Sequence, residues 1–253
     1  MSYYYESRLL RLGLGQLYII VYSIIASWLG VNIKTFIIIM VLVLLTSYIQ
    51  SKLLKGNPIS SVKASVEDVL SARKLVEERN LREIQAKDEA LVVDMQPQLK
   101  FSTFMLMGTL AGILYFFVAW SHVPGIYEFI RGYVGNDFIA HTIAFLVYLE
   151  GFFILSQLST ELALRRVGKL VVISMPNEYI VTAKGIVVKG LLSNTTIPFP
   201  LNPHVQVKLN EKRGFVDIVN EGSRSSTIIR LYSRDPKRLY EVIRKYGVTR
   251  EPG

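Results

Sequence analysis

Four apolar runs, at 12–31, 35–54, 101–120 and 138–158, are separated by segments that carry nearly every lysine and arginine. Each run is about 20 residues, the length an α-helix needs to cross roughly 30 Å of hydrocarbon. A chain with this pattern cannot fold as one soluble globule. It reads as a polytopic membrane protein with four transmembrane helices.

The charge distribution gives the expected topology. Of 29 Lys and Arg, nine lie in 51–100 and sixteen in 159–253, with Arg8 and Arg11 ahead of the first run. Only Lys34 and Arg131 fall in the other two links. Cations flanking spans stay on the cytoplasmic side, so 27 against 2 predicts cytoplasmic N- and C-termini in a multi-pass protein of the cell membrane. Arg8 and Arg11 before an apolar stretch also resemble a secretory signal, but the run is long and no small-x-small site follows, which favours an uncleaved helical hairpin. The chain has no cysteine, which excludes disulfides, thiolate metal sites and cysteine nucleophiles.

Between the second and third runs the pattern turns polar and helical. Ser60 or Ser61 is placed to cap a helix running to Asp94, with Val62, Val66, Val69, Leu70, Val76, Ile84 and Leu91 as its apolar stripe. Glu78/Arg82 and Glu83/Lys87 are acid-before-base pairs at i,i+4. The expectation is one long charged cytoplasmic helix of partial coiled-coil character, interrupted near Arg73 and Asn80, which either packs on the protein's own helices or tail or presents a face to a partner. Pro97 then opens the next helix. The expected divisions are an N-terminal transmembrane hairpin (1–58), the charged helix (59–98), a second hairpin (99–164) and a cytoplasmic β domain (165–253).

From residue 170 the period becomes alternating. Strands are expected at 170–174, 179–183, 186–192, 195–199, 205–209, 215–219 and 227–232, separated by turn residues such as Lys184-Gly185 and Asn220-Glu221-Gly222. Pro198 and Pro200 confine the fourth of these to a sheet edge or a bulge. A closing helix follows, capped by Asp235, started by Pro236 and stopped at Gly247, with Leu239, Val242, Ile243 and Tyr246 on its apolar face. The expected product is a small β-barrel or sandwich with one closing helix.

The polar atoms inside the runs are the candidate site. Glu150 sits within "FLVYLEGFFIL", and twelve Leu, Ile, Val or Phe in its run favour insertion by about 4–7 kcal/mol, against roughly 3 for one central charge. An intramembrane acid points either to a functional groove or relay, or to a hydrogen bond from Tyr, Ser or Thr on a neighbouring helix. His141 and Thr142 lie on the same run; His141, near its end, reads as interfacial. Gly108 and Gly112 form a GxxxG pair that lets helices approach, within one chain or between copies as a homo-oligomer. Arg165, Arg166 and Lys169, just past the last run, are placed to contact anionic lipid. The three histidines lack ligand spacing, and phosphate loops, nucleophile elbows and metalloprotease motifs are absent, so no metal, cofactor or catalytic residue is expected. No basic-aromatic motif points to nucleic acid.

The seven strands and helix resemble a pleckstrin-homology-like fold, with Tyr179–Lys189 ("YIVTAKGIVVK") similar to the hairpin of its bacterial branch. That resemblance implies a non-enzymatic adaptor binding proteins, or sometimes lipid headgroups. The first loop of that domain, Met175-Pro176-Asn177-Glu178, holds no cation for a phosphoinositide. The general layout resembles archaeal predicted integral membrane proteins. Residues 35–160 resemble the Oxa/YidC insertase superfamily through a span, a charged segment and two further spans, with Met95–Gly108 ("MQPQLKFSTFMLMG") similar to its Met-rich second core span. That resemblance implies a polar groove lined by Glu150 and Thr142. The expected function is therefore a membrane scaffold or adaptor presenting residues 60–94 and 170–253 to protein partners, with membrane lipids as its surroundings. An insertase and a small-solute transporter dependent on Glu150 are the alternatives.

Overall fold

The computed structural model describes residues 2–53, 59, 60, 62, 64–190, 194–222 and 225–248, with side chains described from residue 12 and not over 47–53. The elements begin with α1 (Ser2–Leu29), α2 (Ile33–Leu53), α3 (Val66–Leu70), β1 (Lys74–Glu78), α4 (Arg82–Ala86) and α5 (Leu91–Asp94). Next come α6 (Gln96–Trp120), α7 (Val123–Val134) and α8 (Asp137–Val167). They end with β2 (Leu170–Ser174), β3 (Tyr179–Thr182), β4 (Gly185–Val188), β5 (Thr195–Pro198), β6 (Val205–Asn210), β7 (Phe215–Glu221), β8 (Ser225–Tyr232) and α9 (Pro236–Gly247). They fall into two units, Met1–Gly56 with Phe101–Arg166, and Asn57–Lys100 with Val167–Gly253.

The first unit is helical. The four apolar runs become α1, α2, α6 and α8, but three of these, α1 from Leu12, α6 and α8, are long and apolar enough to cross a bilayer. Among the described residues these three are the candidate spans; the described apolar stretch of α2 runs Ile33–Thr46, and the side chains of its last turns, over 47–53, lie outside the described residues. Asn32 shapes the turn between α1 and α2, its side chain donating to the Leu29 carbonyl and accepting from the amides of Lys34 and Thr35. The core of the unit is aromatic. Phe36 lies 5.2 Å from Phe116 and 5.1 Å from Trp120 between ring centroids, and Tyr148 bonds the Phe116 carbonyl at 2.8 Å.

The link at 121–137 is more than a loop. Pro124 starts α7 and Gly135, at φ 63°, ends it in the left-handed conformation that a side chain disfavours. Val123 is buried and Ile126, Tyr127 and Ile130 pack on the aromatic core, a three- and four-residue spacing that the short, Gly- and Pro-containing segment conceals.

The second unit corrects the expected long helix. Residues 60–94 do not form a coiled coil; they form three helices of four or five residues and one strand. Ser65 caps α3 in a reciprocal capping box with Asp68, Asn80 adopts φ 55°, and Leu81 is fully buried. The Glu78 carboxylate accepts from the Ser233 hydroxyl and the Arg234 amide in place of the expected partner Arg82. An exposed i,i+4 pair contributes a few tenths of a kcal/mol, whereas burying Leu81 contributes about 1.5–3, so tertiary contacts win. Ser61 lies outside the described residues.

Two four-stranded sheets result, ordered β1-β3-β4-β5 and β2-β8-β7-β6. All seven strands expected after residue 170 are present, and β5 lies at a sheet edge as its prolines require. The eighth strand, β1, comes from before the second pair of long helices and pairs antiparallel with β3. β2 pairs parallel with β8. The hairpin of β3 and β4 needs Gly185, where a Cβ would meet the Ile197 carbonyl oxygen at 2.6 Å. Tyr179 donates to the Tyr232 carbonyl at 2.7 Å, tying one sheet to the other. Leu239 and Ile243 of α9 complete a core shared with Ile59, Leu81, Ile186, Ile218 and Leu231. The unit is therefore discontinuous in sequence, with α6 to α8 inserted between its two parts.

Candidate functional site

The helix α8 positions all three intramembrane candidates, and it separates them. His141 and Glu150 are nine residues apart, which at about 100° per residue puts them on opposite faces. Thr142 bonds across to α1, its hydroxyl 2.8 Å from that of Ser27, and also returns to the Phe138 carbonyl. His141 places Nδ1 3.0 Å from the Asp137 carbonyl and stacks on Tyr127 with centroids 3.8 Å apart. Glu150 is half-buried, and its carboxylate has no hydrogen bond or ion pair among the described residues. The hydrogen bonds that hold these helices together come instead from Thr142 and from the tyrosines, with Tyr115 donating to the Tyr148 carbonyl at 2.9 Å. Ser23, Ser27 and Thr35 are buried polar residues that the hydropathy pattern hides; the Ser-x-x-x-Ser spacing on α1 is the signal that could have found the first two.

Small residues bring α6 and α8 together. A Cβ on Gly108 would meet the Ser159 side chain at 2.6 Å, and one on Gly112 would meet Phe152 at 3.1 Å. From the other side, Gly151 accommodates the Tyr115 hydroxyl, which would sit 2.0 Å from an added Cβ. The GxxxG pair thus packs within one chain. Beyond it, Arg165 and Arg166 are exposed in the last turn of α8, with Arg165 at 3.4 Å from Glu161, and Lys169 is exposed ahead of β2.

An extended polar cluster among the described residues was not among the candidates and lies in the second unit. Arg230 on β8 is 5% exposed; it bonds Asp217 through Nε and Nη2 at 2.9 and 3.0 Å and Asp94 through Nη1 at 2.7 Å. Arg213 holds Asp88 with two bonds, at 2.7 and 2.8 Å, and reaches Asp94 at 2.7 Å. Tyr232 donates to Asp88 at 2.5 Å. Both guanidinium groups lie over the Phe215 ring, Arg230 at 3.9 Å and Arg213 at 5.0 Å. Asp217 faces Arg230, and Phe215 faces Tyr232, as register partners of β7 and β8. A charge in the middle of each apolar strand was the available sign.

Burial alone raises the Asp88 and Asp94 carboxyls. Hydrogen bonds from Arg213 and Tyr232 to the first, and from Arg230 and Arg213 to the second, outweigh it and hold both below the ordinary carboxylate range. Burial, then the bond to Asp88, pushes the Tyr232 phenol up to about 12. A satisfied cluster of this kind has its donors and acceptors turned on one another, which fits fastening better than turnover. Nearby, Leu75, Glu78, Ser233, Arg234 and Arg238 line a polar cleft of about 200 Å³, small beside the 300–1,000 Å³ usual for drug-sized ligands. Among the described residues no three His, Cys, Asp or Glu are grouped so as to hold a metal ion.

Among known proteins, the model of a family described as predicted membrane protein (DUF2208) matches residues 11–246. No curated protein and no solved structure matches the chain.

Proposed function

The chain belongs to this family of predicted membrane proteins, and from that premise we propose that it is a non-catalytic membrane scaffold whose two-sheet unit presents a binding surface to protein partners at the cytoplasmic face. One observation carries the proposal. The sheet unit is built from both chain segments that flank α6 to α8, so the chain passes between it and the helical unit at three junctions, 56/57, 100/101 and 166/167. The charged cluster adds rigidity by joining Asp88 and Asp94, ahead of α6, to strands formed after α8. A domain joined to membrane helices through several chain segments stays at the membrane, which serves an adaptor by raising the effective concentration of a partner on the same membrane. The sequence resemblance of the seven strands and helix after residue 170 to a pleckstrin-homology-like fold is in keeping with the same reading. The insertase alternative loses a support, since residues 60–94 hold β1 in place of a charged helix.

The test is crosslinking in native membranes, with photoreactive groups at exposed positions of the sheet unit and, separately, along α8 near Glu150. Defined proteins captured by the sheet unit, and competed away by that unit supplied in soluble form, support the scaffold. Capture of nascent membrane segments by α8 alone overturns it.

A further inference from the structure

The helix α7 has a face that the packing does not use. Val123, Ile126, Tyr127 and Ile130 turn inward, yet Phe129 and Tyr133 stand 68% and 79% exposed, four residues apart, with ring centroids at 5.2 Å. On a helical projection these two rings flank the inward face, while Glu128 and Gly132 lie on the opposite side. The rotation of α7 is fixed by its neighbour. Tyr127 stacks on His141 and donates to Asp137 at 3.3 Å, and Arg131 pairs with Asp137 at 2.9 Å.

The position of α7 is constrained too. Two residues separate it from α6 and two from α8, both long and apolar enough to span a bilayer. Three peptide steps reach at most about 11 Å, so each end of α7 stays close to the end of a span. A 12-residue helix there, about 18 Å long, is held in the layer where hydrocarbon meets water. Aromatic rings with one apolar and one polar end favour that layer, and Phe beside Tyr on one flank with charge on the other is the pattern of a helix lying in it.

We propose that α7 is a membrane-interface helix whose Phe129–Tyr133 pair docks into the headgroup and upper acyl region of the bilayer. The partner surface is lipid: the candidate spans on either side also expose apolar side chains near their α7 ends, Phe117 and Val118 of α6 and Phe138 and Ile139 of α8. This inference is independent of the scaffold reading and stands if that reading fails.

The absence of native cysteine makes the test direct. Phe129→Cys, Tyr133→Cys, Glu128→Cys and Gly132→Cys, each in the full chain, are labelled with a nitroxide and reconstituted in liposomes. Collision with oxygen, which concentrates in hydrocarbon, is compared with collision with a water-soluble nickel chelate. The expected oxygen-to-nickel ratio is severalfold higher at 129 and 133 than at 128 and 132. Equal or inverted ratios overturn the proposal. Dipolar broadening at 133 that disappears on dilution with unlabelled chain also overturns it, since a second copy would then cover the pair. Each substitution removes an exposed side chain or adds one on the outer side, and Tyr133→Cys decides the matter alone should Phe129→Cys fail to insert.

Discussion

Asp94 accepts a 2.7 Å hydrogen bond from Nη1 of Arg230, joining the last turn before α6 to the final strand of the sheet formed after α8. The same guanidinium holds Asp217, and almost none of it reaches solvent. Removing one partner from a buried ion cluster leaves charge uncompensated, which costs about 3–5 kcal/mol. Arg230→Gln is therefore expected to destabilise the sheet unit by about that amount in chemical denaturation. Arg213→Gln, at a more exposed position, is expected to cost distinctly less. Equal losses would show that burial does not rank these two arginines.

The cluster also sets a pH dependence. Asp88 and Asp94 have folded pKa values below the usual carboxylate range. Their contribution is complete above the unfolded value of about 3.9 and is lost as pH falls through the folded values. Stability from these groups is expected to be flat from neutrality to about pH 4 and to fall on further acidification. In Asp88→Asn/Asp94→Asn the neutral-pH stability drops and the acid slope shallows, measured by thermal melts in a pH series. Tyr232 runs in the opposite direction: its phenol, raised to about 12, stabilises fully below the unfolded value near 10 and loses that effect as pH rises through 12. Phenolate absorbance titrated in Tyr232→Phe against the parent isolates it.

Much of the fold is legible in the sequence because two periods are strong. The apolar runs give the long helices, and the alternation after residue 170 gives seven strands with correct turns, down to Asp235 capping α9. What failed depended on partners distant in sequence. Val76 belongs to the helical stripe expected over 60–94, but β3, about 100 positions later, offers residues 74–78 a ladder and Ser233 and Arg234 take Glu78. No local pattern contains that competition. The site was less legible still. Glu150 stood out by hydropathy yet meets no described partner, while Asp94, Arg213 and Arg230 belong to no local motif and are brought together only by the sheets.

Close helix packing makes Gly151 a sensitive position. A methyl group there collides with the Tyr115 hydroxyl, which is itself bonded to the Tyr148 carbonyl. Gly151→Ala is expected to cost about 1–3 kcal/mol through overpacking, read as earlier thermal aggregation in detergent. Tyr115→Phe removes the nearest atom, so the double variant Gly151→Ala/Tyr115→Phe is expected to lose less than the two single losses added together. Additive losses would place the strain elsewhere.

The discontinuity of the sheet unit predicts which fragment folds. A piece beginning at Val167 lacks β1, Ile59 and Leu81; burial of those two side chains alone contributes about 3–6 kcal/mol, and β3 would expose a bare edge. Such a piece is expected to aggregate. The two parts meet closely, since the Ile173 amide donates to the Gln98 side chain at 2.9 Å. A flexible linker of about ten residues, reaching roughly 17 Å, can therefore replace 101–166 and join Lys100 to Val167. That fused chain is expected to be soluble, β-rich by circular dichroism and cooperative in its melt. If the fragment from Val167 instead folds alone with the same melting profile, β1 and the cluster around Asp94 are appendages, and the discontinuous domain on which the scaffold rests is lost with them.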